Sequence, residues 1–302
     1  MSRLIRNCLL VLLGHFLANY ASADVYGSGW YRQLELAAGH EDNVNRAFAG
    51  GDVKQDQVVR SSLGLGYAQN YGDNIRYVLS GYISYNYHPG FDALSNFGVS
   101  LGASGTWQPH PGYESIWVTA GAEVTRLDYR NSEARNGYLL KGNLGLNRRF
   151  GLRTIGHFGY RYADLAFFEK SEAEKQRDAA FDVARHEIYV GVDHEVMRKV
   201  YLLAEYSWQH GGFTSSVNGT PAASVVYEAE TEDKAFQYCD GMRCTSFYAY
   251  RAVADLQSIN LGVAFNLGGL DYDVSARYFD AKGEGGTHYR DWTMQVGLIW
   301  TF

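Results

Sequence analysis

From Trp292 to Phe302 the chain alternates. Trp292, Met294, Val296, Leu298, Trp300 and Phe302 are apolar, while Asp291, Thr293, Gln295 and Thr301 fall on the other parity, with Ile299 the exception. A period of two places the apolar side chains on one face of an extended strand. A run of about eleven residues is twice the usual strand length in soluble sheets. It matches what a tilted strand needs to cross a bilayer.

The same pattern recurs along the chain. It is clear in Tyr77, Leu79, Ile83, Tyr85 and Tyr87, in Phe97, Val99, Leu101, Ala103 and Trp107, and in Leu202, Ala204, Tyr206 and Trp208. Strands are predicted near 31–40, 58–69, 75–87, 95–108, 115–129, 136–150, 154–167, 185–196, 200–211, 252–266, 270–280 and 287–302. Short connections (70–74, 109–114, 151–153, 197–199, 267–269) alternate with longer ones (41–57, 88–94, 130–135, 169–184, 212–251, 281–286). Short turns on one side and long loops on the other are the habit of transmembrane barrels. The expectation is all-β: a single antiparallel up-and-down transmembrane barrel of about twelve strands, residues 24–302, with both termini periplasmic. Aromatic girdles are expected at Tyr67, Trp107, Phe150 and Phe302 on one rim and at Tyr87, Tyr129 and Trp208 on the other. A secreted sandwich would have shorter strands and a second sheet against its other face.

Composition agrees. The 302 residues include 24 Tyr and 34 Gly but only four Pro, and the aromatic fraction of 15% excludes a disordered chain. Mean hydropathy of −0.29 excludes a helical membrane bundle. A net charge of −6 without a basic stripe excludes nucleic acid as a partner.

Residues 1–23 read as a secretory signal peptide. Arg3 and Arg6 form the basic start, an apolar stretch begins at Cys8, and Ala21-Ser22-Ala23 is the cleavage site. The implied destination is the outer membrane of a Gram-negative cell. Two cysteines remain after cleavage, Cys239 and Cys244, and in an oxidising compartment they are expected to form a disulfide. The aromatic last strand, ending in Trp300 and Phe302, resembles the assembly signal of bacterial outer-membrane barrels. That resemblance implies the barrel-assembly machinery and outer-membrane lipid as partners.

If the apolar parity faces lipid, the other faces the lumen. That set holds Glu35, Arg60, Arg76, Glu123, Lys141, Arg149, His157, Arg161, Glu187, Asp193, Glu195, Glu205, Asp273 and Arg277. Ser62, Gly64, Gly66 and Ala68 on the second strand, and Ser100, Gly102, Ser104 and Thr106 on the fourth, form a small-residue wall expected to leave room beside the charged one. Glu123, Lys141, Arg161, Glu205 and Arg277 are the expected selectivity residues. Tyr82 and Tyr189 also point inward, as sugar-stacking faces or as wall filling.

The loop 212–251 is expected to extend its strand pair above the membrane through Ser224–Tyr227 and Ser246–Tyr250 as a hairpin, as a protective cover or a ligand contact. No catalytic, metal or cofactor motif emerges. His210 lies near Ser215, Ser216 and Ser246 in sequence but in no lipid-hydrolase arrangement. His186-Glu187 is a candidate for cross-strand pairing with Asp164.

The segment from Leu34 to Arg46, which ends Gly39-His40-Glu41-Asp42-Asn43-Val44-Asn45-Arg46, is similar to the first strand and loop of certain specialised barrels. These are the barrel domains of exopolysaccharide exporters and of surface-lipoprotein assembly modifiers, although His40 and Glu41 depart from their pattern. The resemblance implies an export accessory or a narrow channel, and general porins usually have more strands. The leading expectation is a porin-like, non-enzymatic channel for small polar or charged solutes, including oligosaccharides. The alternatives are an accessory for polysaccharide or lipoprotein export and a closed barrel acting through its outer loops.

Overall fold

A computed structural model describes residues 28–110, 112–167, 170–219, 221, 225, 227–240 and 243–302. The proposed signal peptide lies outside them. The barrel strands are β1 (Gly29–Glu41), β2 (Asp56–Tyr71), β3 (Ile75–Tyr87), β4 (Asn96–Trp107), β5 (Trp117–Tyr129), β6 (Gly137–Phe150), β7 (Thr154–Ala166), β8 (Ala184–Met197) and β9 (Val200–Asn218). Three short strands follow in the long loop, β10 (Ala229–Glu232), β11 (Tyr238–Asp240) and β12 (Arg243–Thr245). The barrel is completed by β13 (Phe247–Leu267), β14 (Leu270–Gly283) and β15 (His288–Thr301).

Each barrel strand pairs antiparallel with its neighbours in sequence. β9 pairs with β13, and β15 pairs back onto β1, so twelve strands close without an edge. Closure is what lipid demands, since an open edge would leave backbone groups without partners. The outward parity is apolar and exposed, as at Leu63, Leu65, Leu79, Leu101, Leu144, Phe158, Val190, Leu261 and Met294. An apolar band wrapped around a closed barrel is stable only in a bilayer, and the chain is an outer-membrane protein associated with membrane lipid. Trp107, Phe150, Trp300 and Phe302 are exposed at the turn rim, Tyr87 and Trp208 towards the loop rim. Tyr129 was expected among them, but it shares the inward parity of Thr125 and lines the interior.

The turns explain themselves locally. Gly268 and Gly269 both have positive φ (63° and 85°), the combination a two-residue hairpin with a right-handed twist requires. β1 begins and β15 ends at this same rim, where Arg32 and Phe302 exchange backbone hydrogen bonds of 2.9 Å.

The predicted strands recur with small changes of boundary, except that β9 and β13 run well beyond the others. Their extension pairs Gly212–Asn218 with Phe247–Val253, whereas the expected partner of the second half was Ser224–Tyr227. The correction has a physical basis: β9 simply continues its ladder through Asn218. Above the membrane β10 occupies the other side of β13, with Ala229 opposite Arg251.

The outer loops fold into the mouth rather than standing clear of it. One apolar cluster joins Ala47 and Phe48 of the β1–β2 loop to Phe213, Val217, Tyr250, Phe279 and Tyr289 of the barrel wall. A second joins Phe236 and Phe247 to Leu94, Phe91 and Val44. The β1–β2 loop is also sewn to β15. Asp42 N–H donates to the Trp292 carbonyl (3.1 Å) and Trp292 N–H to the Asp42 carboxylate (2.7 Å). The Asn43 N–H donates to Asp291 (3.1 Å), and its side-chain amide donates to the Arg290 carbonyl (2.8 Å).

Candidate functional site

The charged wall runs over β5–β9. On β7 and β8, Arg161 and Glu187 are directly opposed, as are Glu187 and Gln209 on β8 and β9. Cross-strand neighbours on one face are close enough to bond. Arg161 Nη1 donates to Glu187 Oε1 (2.7 Å) and to Glu205 Oε1 (3.0 Å), and Nη2 donates to Glu205 Oε2 (2.7 Å). Gln209 Nε2 donates to the other Glu187 oxygen at 2.7 Å. The guanidinium carbon lies 3.5 Å from the Tyr189 ring centre.

Two glycines make this layering possible. A Cβ at Gly159 would sit 2.5 Å from the Leu144 carbonyl oxygen and from the Tyr189 hydroxyl; a Cβ at Gly191 would sit 2.0 Å from His157 Nε2. Tyr189 therefore lies flat on the wall, and His157 reaches across β8 to within 3.8 Å of Glu205 and 4.0 Å of Asp193. On the neighbouring strands Lys141 Nζ donates to Glu123 Oε1 at 2.9 Å, and the Thr125 hydroxyl donates to the same oxygen at 3.2 Å.

Of the five expected selectivity residues, Glu123 pairs with Lys141 and Arg161 with Glu205. Arg277, on β14, donates to the Ser258 hydroxyl at 3.2 Å and lies within electrostatic reach of Glu187 and Glu205. The bonds from Lys141 to Glu123 and from Arg161 to Glu187 and Glu205 run along the wall, to the next strand or the next but one. His186 and Glu187 do not pair with Asp164. His186 faces outward and bonds the Tyr160 hydroxyl (2.5 Å), because alternate residues of β8 point to opposite faces.

The small-residue wall is open only in part. The Tyr82 ring lies over Gly64, 2.3 Å from where a Cβ would be, and the Tyr31 ring covers Gly66 in the same way. Tyr82 and the 3%-exposed Tyr189 thus fill wall. On β4 and β5 no aromatic ring covers the glycines: Gly102 meets Ser80 and the Glu123 Cβ, and Gly121 meets Ser104 and Asn143. Of the wall expected along β2 and β4, the β2 half is covered by tyrosine rings and the β4 half keeps its small side chains.

The outer mouth brings together residues from four loops and from the end of β8. A cavity of about 240 Å³ is bounded by Asn45 and Arg46 of the β1–β2 loop, Tyr129 and Arg135 around the β5–β6 loop, Phe181 and Arg185 before and on β8, and Phe236 of the long loop. Arg135 Nη2 donates to buried Asp233 at 2.6 Å, and the Ser216 hydroxyl donates to the same carboxylate oxygen at 2.5 Å. Arg46 has φ of 51°, a conformation costing a non-glycine residue about 1–2 kcal/mol. It is held there by its own N–H to the Asn43 carbonyl (2.9 Å) and by the Ser215 hydroxyl to its carbonyl (2.7 Å). Asn45 braces the same turn, its side chain donating to the Ser216 carbonyl (2.7 Å) and accepting from Lys54 N–H (2.8 Å). The sequence signals were present: Asp42, Asn43 and Asn45 are turn formers, and the parity that turns Glu187 inward also turns Arg185 inward.

Ser215 and Ser216 are thereby committed to the interior, while His210 faces outward and bonds Asp255 at 3.0 Å. Sequence proximity did not bring them together. In the long loop β11 and β12 place Cys239 opposite Cys244, the register a disulfide between them needs.

No protein-family model matches the chain, and no curated protein matches it. Solved structures do. A crystal structure of an outer membrane channel from Pseudomonas putida F1 aligns over 93% of this chain and 98% of its own, with a TM-score of 0.59 at 8% identity. The outer membrane channel DcaP of Acinetobacter baumannii aligns over 90% and 96%, with a TM-score of 0.44 at 11% identity. The first of these likenesses is one of fold: a closed outer-membrane barrel.

Proposed function

We propose that the protein is an outer-membrane channel for the diffusion of small polar or charged solutes, acting without covalent chemistry. The observation that carries this reading is the direction of the ion pairs. Arg161 bonds Glu187 and Glu205, and Lys141 bonds Glu123, between strands of one wall. A barrel filled to be a structural plug would gain most by bonding charge across its middle, where buried charge is costly unless paired. Here the pairs line the bore, and Ser80, Gly102, Ser104 and Gly121 form a low-relief stretch of wall beside them. Solutes would move through that space past the local potentials of Glu123, Lys141, Arg161, Glu205 and Arg277. The inward-folded loops narrow the outer end, which suits a selective channel better than a general one.

The test is single-channel conductance of the refolded barrel in a planar bilayer, with a salt gradient to read ion selectivity. Steady openings whose selectivity shifts with Glu205→Gln support the reading. Folded, inserted protein that never conducts overturns it and favours an export accessory or a closed barrel.

A further inference from the structure

We propose that the cavity in the outer mouth is a recognition site for a small solute bearing a carboxylate or phosphate, gripped between Arg46 and Arg185. The proposal rests on the channel reading only for the route by which the solute leaves. Among the described residues the Arg46 and Arg185 guanidiniums make no hydrogen bond and no ion pair. Their neighbours are provided for: Arg135 has Asp233, Arg161 has Glu187 and Glu205, and Arg277 has Ser258. The residues bounding the cavity include three arginines and no carboxylate. Arg46 and Arg277 act on Arg185 as like charges, and Glu187 two residues along β8 offsets them only in part, so a bound anion would relieve the repulsion that remains.

The rest of the cavity suits the same ligand. Leu127, Leu139, Leu165, Phe181 and Phe236 give it apolar flanks, which strengthen charge-assisted hydrogen bonds by excluding water. Two planar guanidinium forks match the paired oxygens of carboxylate and phosphate. The other polar side chains are occupied: Asn45 and Ser216 hold the turn and Asp233, and the Thr214 hydroxyl donates to the Ala180 carbonyl. That leaves the Tyr129 hydroxyl as a neutral group for a sugar or alcohol oxygen. A volume of about 240 Å³ accommodates on the order of eight waters, so the occupant has the size of phosphate, a dicarboxylate or a single sugar acid. An oligosaccharide does not fit. Arg46 is also held in left-handed backbone by a bonded turn, and strain of this kind collects at ligand clamps.

The experiment uses the full barrel refolded in detergent and in bilayers, with inorganic phosphate, glucuronate and neutral glucose as probes at matched ionic strength. The expected results are a rise in thermal stability and brief current blockades with phosphate or glucuronate, and neither with glucose. Phosphate alone would identify a phosphate site and glucuronate alone a sugar-acid site; either supports the proposal. Arg46→Gln combined with Arg185→Gln should weaken both effects at least tenfold. Arg46→Lys with Arg185→Lys should retain part of them, and the exposed Arg290→Gln should retain all. Heat-modifiable gel mobility reports whether each variant folds, and the Lys pair keeps the test available if the Gln pair does not. Equal effects from glucose, or full effects in the folded Gln pair, would overturn the proposal. Stabilisation by anions without conductance would keep this site and sink the channel reading; conductance without anion effects would do the reverse.

Discussion

Arg161 on β7 and Glu205 on β9 are joined by two hydrogen bonds, 3.0 and 2.7 Å long, that pass over the intervening β8. The pair ties three strands through one side chain, and both partners keep some exposure to the bore, 17% and 15%. Arg161→Ala removes the cation bonded to both Glu187 and Glu205 and leaves Arg277, which acts on both from β14, as their remaining positive neighbour. The expected loss is about 1–3 kcal/mol, below the range for fully buried pairs because the bore wets this one. Urea unfolding in lipid vesicles measures it, and the bore should shift towards cation selectivity.

Gly159→Ala addresses the floor beneath that pair. The new methyl meets the Leu144 carbonyl as well as the Tyr189 ring, and backbone cannot step aside as a side-chain tip can. Overpacking of this kind costs about 1–3 kcal/mol. A Gly159→Ala barrel as stable as the parent would show that Tyr189 does not lie where described.

Asp233 fastens the long loop to the mouth through Arg135 and Ser216 and caps Ala235 N–H at 3.1 Å. Asp233→Ala should free the segment around Phe236 from the mouth. The readouts are faster proteolysis between 228 and 246 and larger unitary currents. Unchanged currents alongside faster nicking would show that this loop does not limit the passage.

Asp178 gives the β7–β8 loop a pH dependence. Burial pushes its carboxyl up, but hydrogen bonds from Arg177 (2.8 and 3.0 Å) and Lys170 (3.0 Å) outweigh this and hold it below the usual value. A folded-state pKa depressed in this way contributes stability above the unfolded value of about 4, lost as pH falls through the folded one. Pepsin should therefore nick 170–183, which includes the short helix α1 (Glu172–Arg177), increasingly below about pH 4. Asp178→Asn should be nicked at higher pH as well.

Cys239 and Cys244 are predicted to be oxidised in protein recovered from cells. Mass spectrometry after iodoacetamide should find no alkylation without reductant and two additions with it. Because the enclosed loop is short, reduction should cost at most about 2 kcal/mol, confined to β11 and β12.

The barrel was legible because lipid imposes a rule on every second residue, and Leu202, Ala204, Tyr206 and Trp208 obey it along β9. The outer half of the same strand was not, because the rule inverts there. Beyond Gly211, with φ of 144°, the apolar residues are Phe213 and Val217, and they face the cap rather than lipid. Tyr129 shows a milder failure: its height on β5 suggested a girdle, while its parity already turned it inward. The bonded pair Glu123 and Lys141 could be read from parity plus register. The Arg46 site could not, since the turn that presents Arg46 is braced by Ser215 and Ser216, 169 and 171 residues away from their partners.

The stitching of Asn43 to β15 has a consequence for how the molecule is made. Asn43 and Asp291 are 248 residues apart, so their contact, like the β1–β15 ladder beside it, closes nearly the whole chain into one loop and carries a large entropic penalty. The adjoining stretch of β15, Thr293–Thr301, forms the ladder to β1 that seals the wall. A wall sealed with the first loop outside would leave the Asp291 carboxylate and the Arg290 carbonyl without the amides they accept, and Ala47 outside its cluster. Sealing the wall and seating the first loop thus draw on the same strand, and the mouth has its full set of contacts only when β15 is in place.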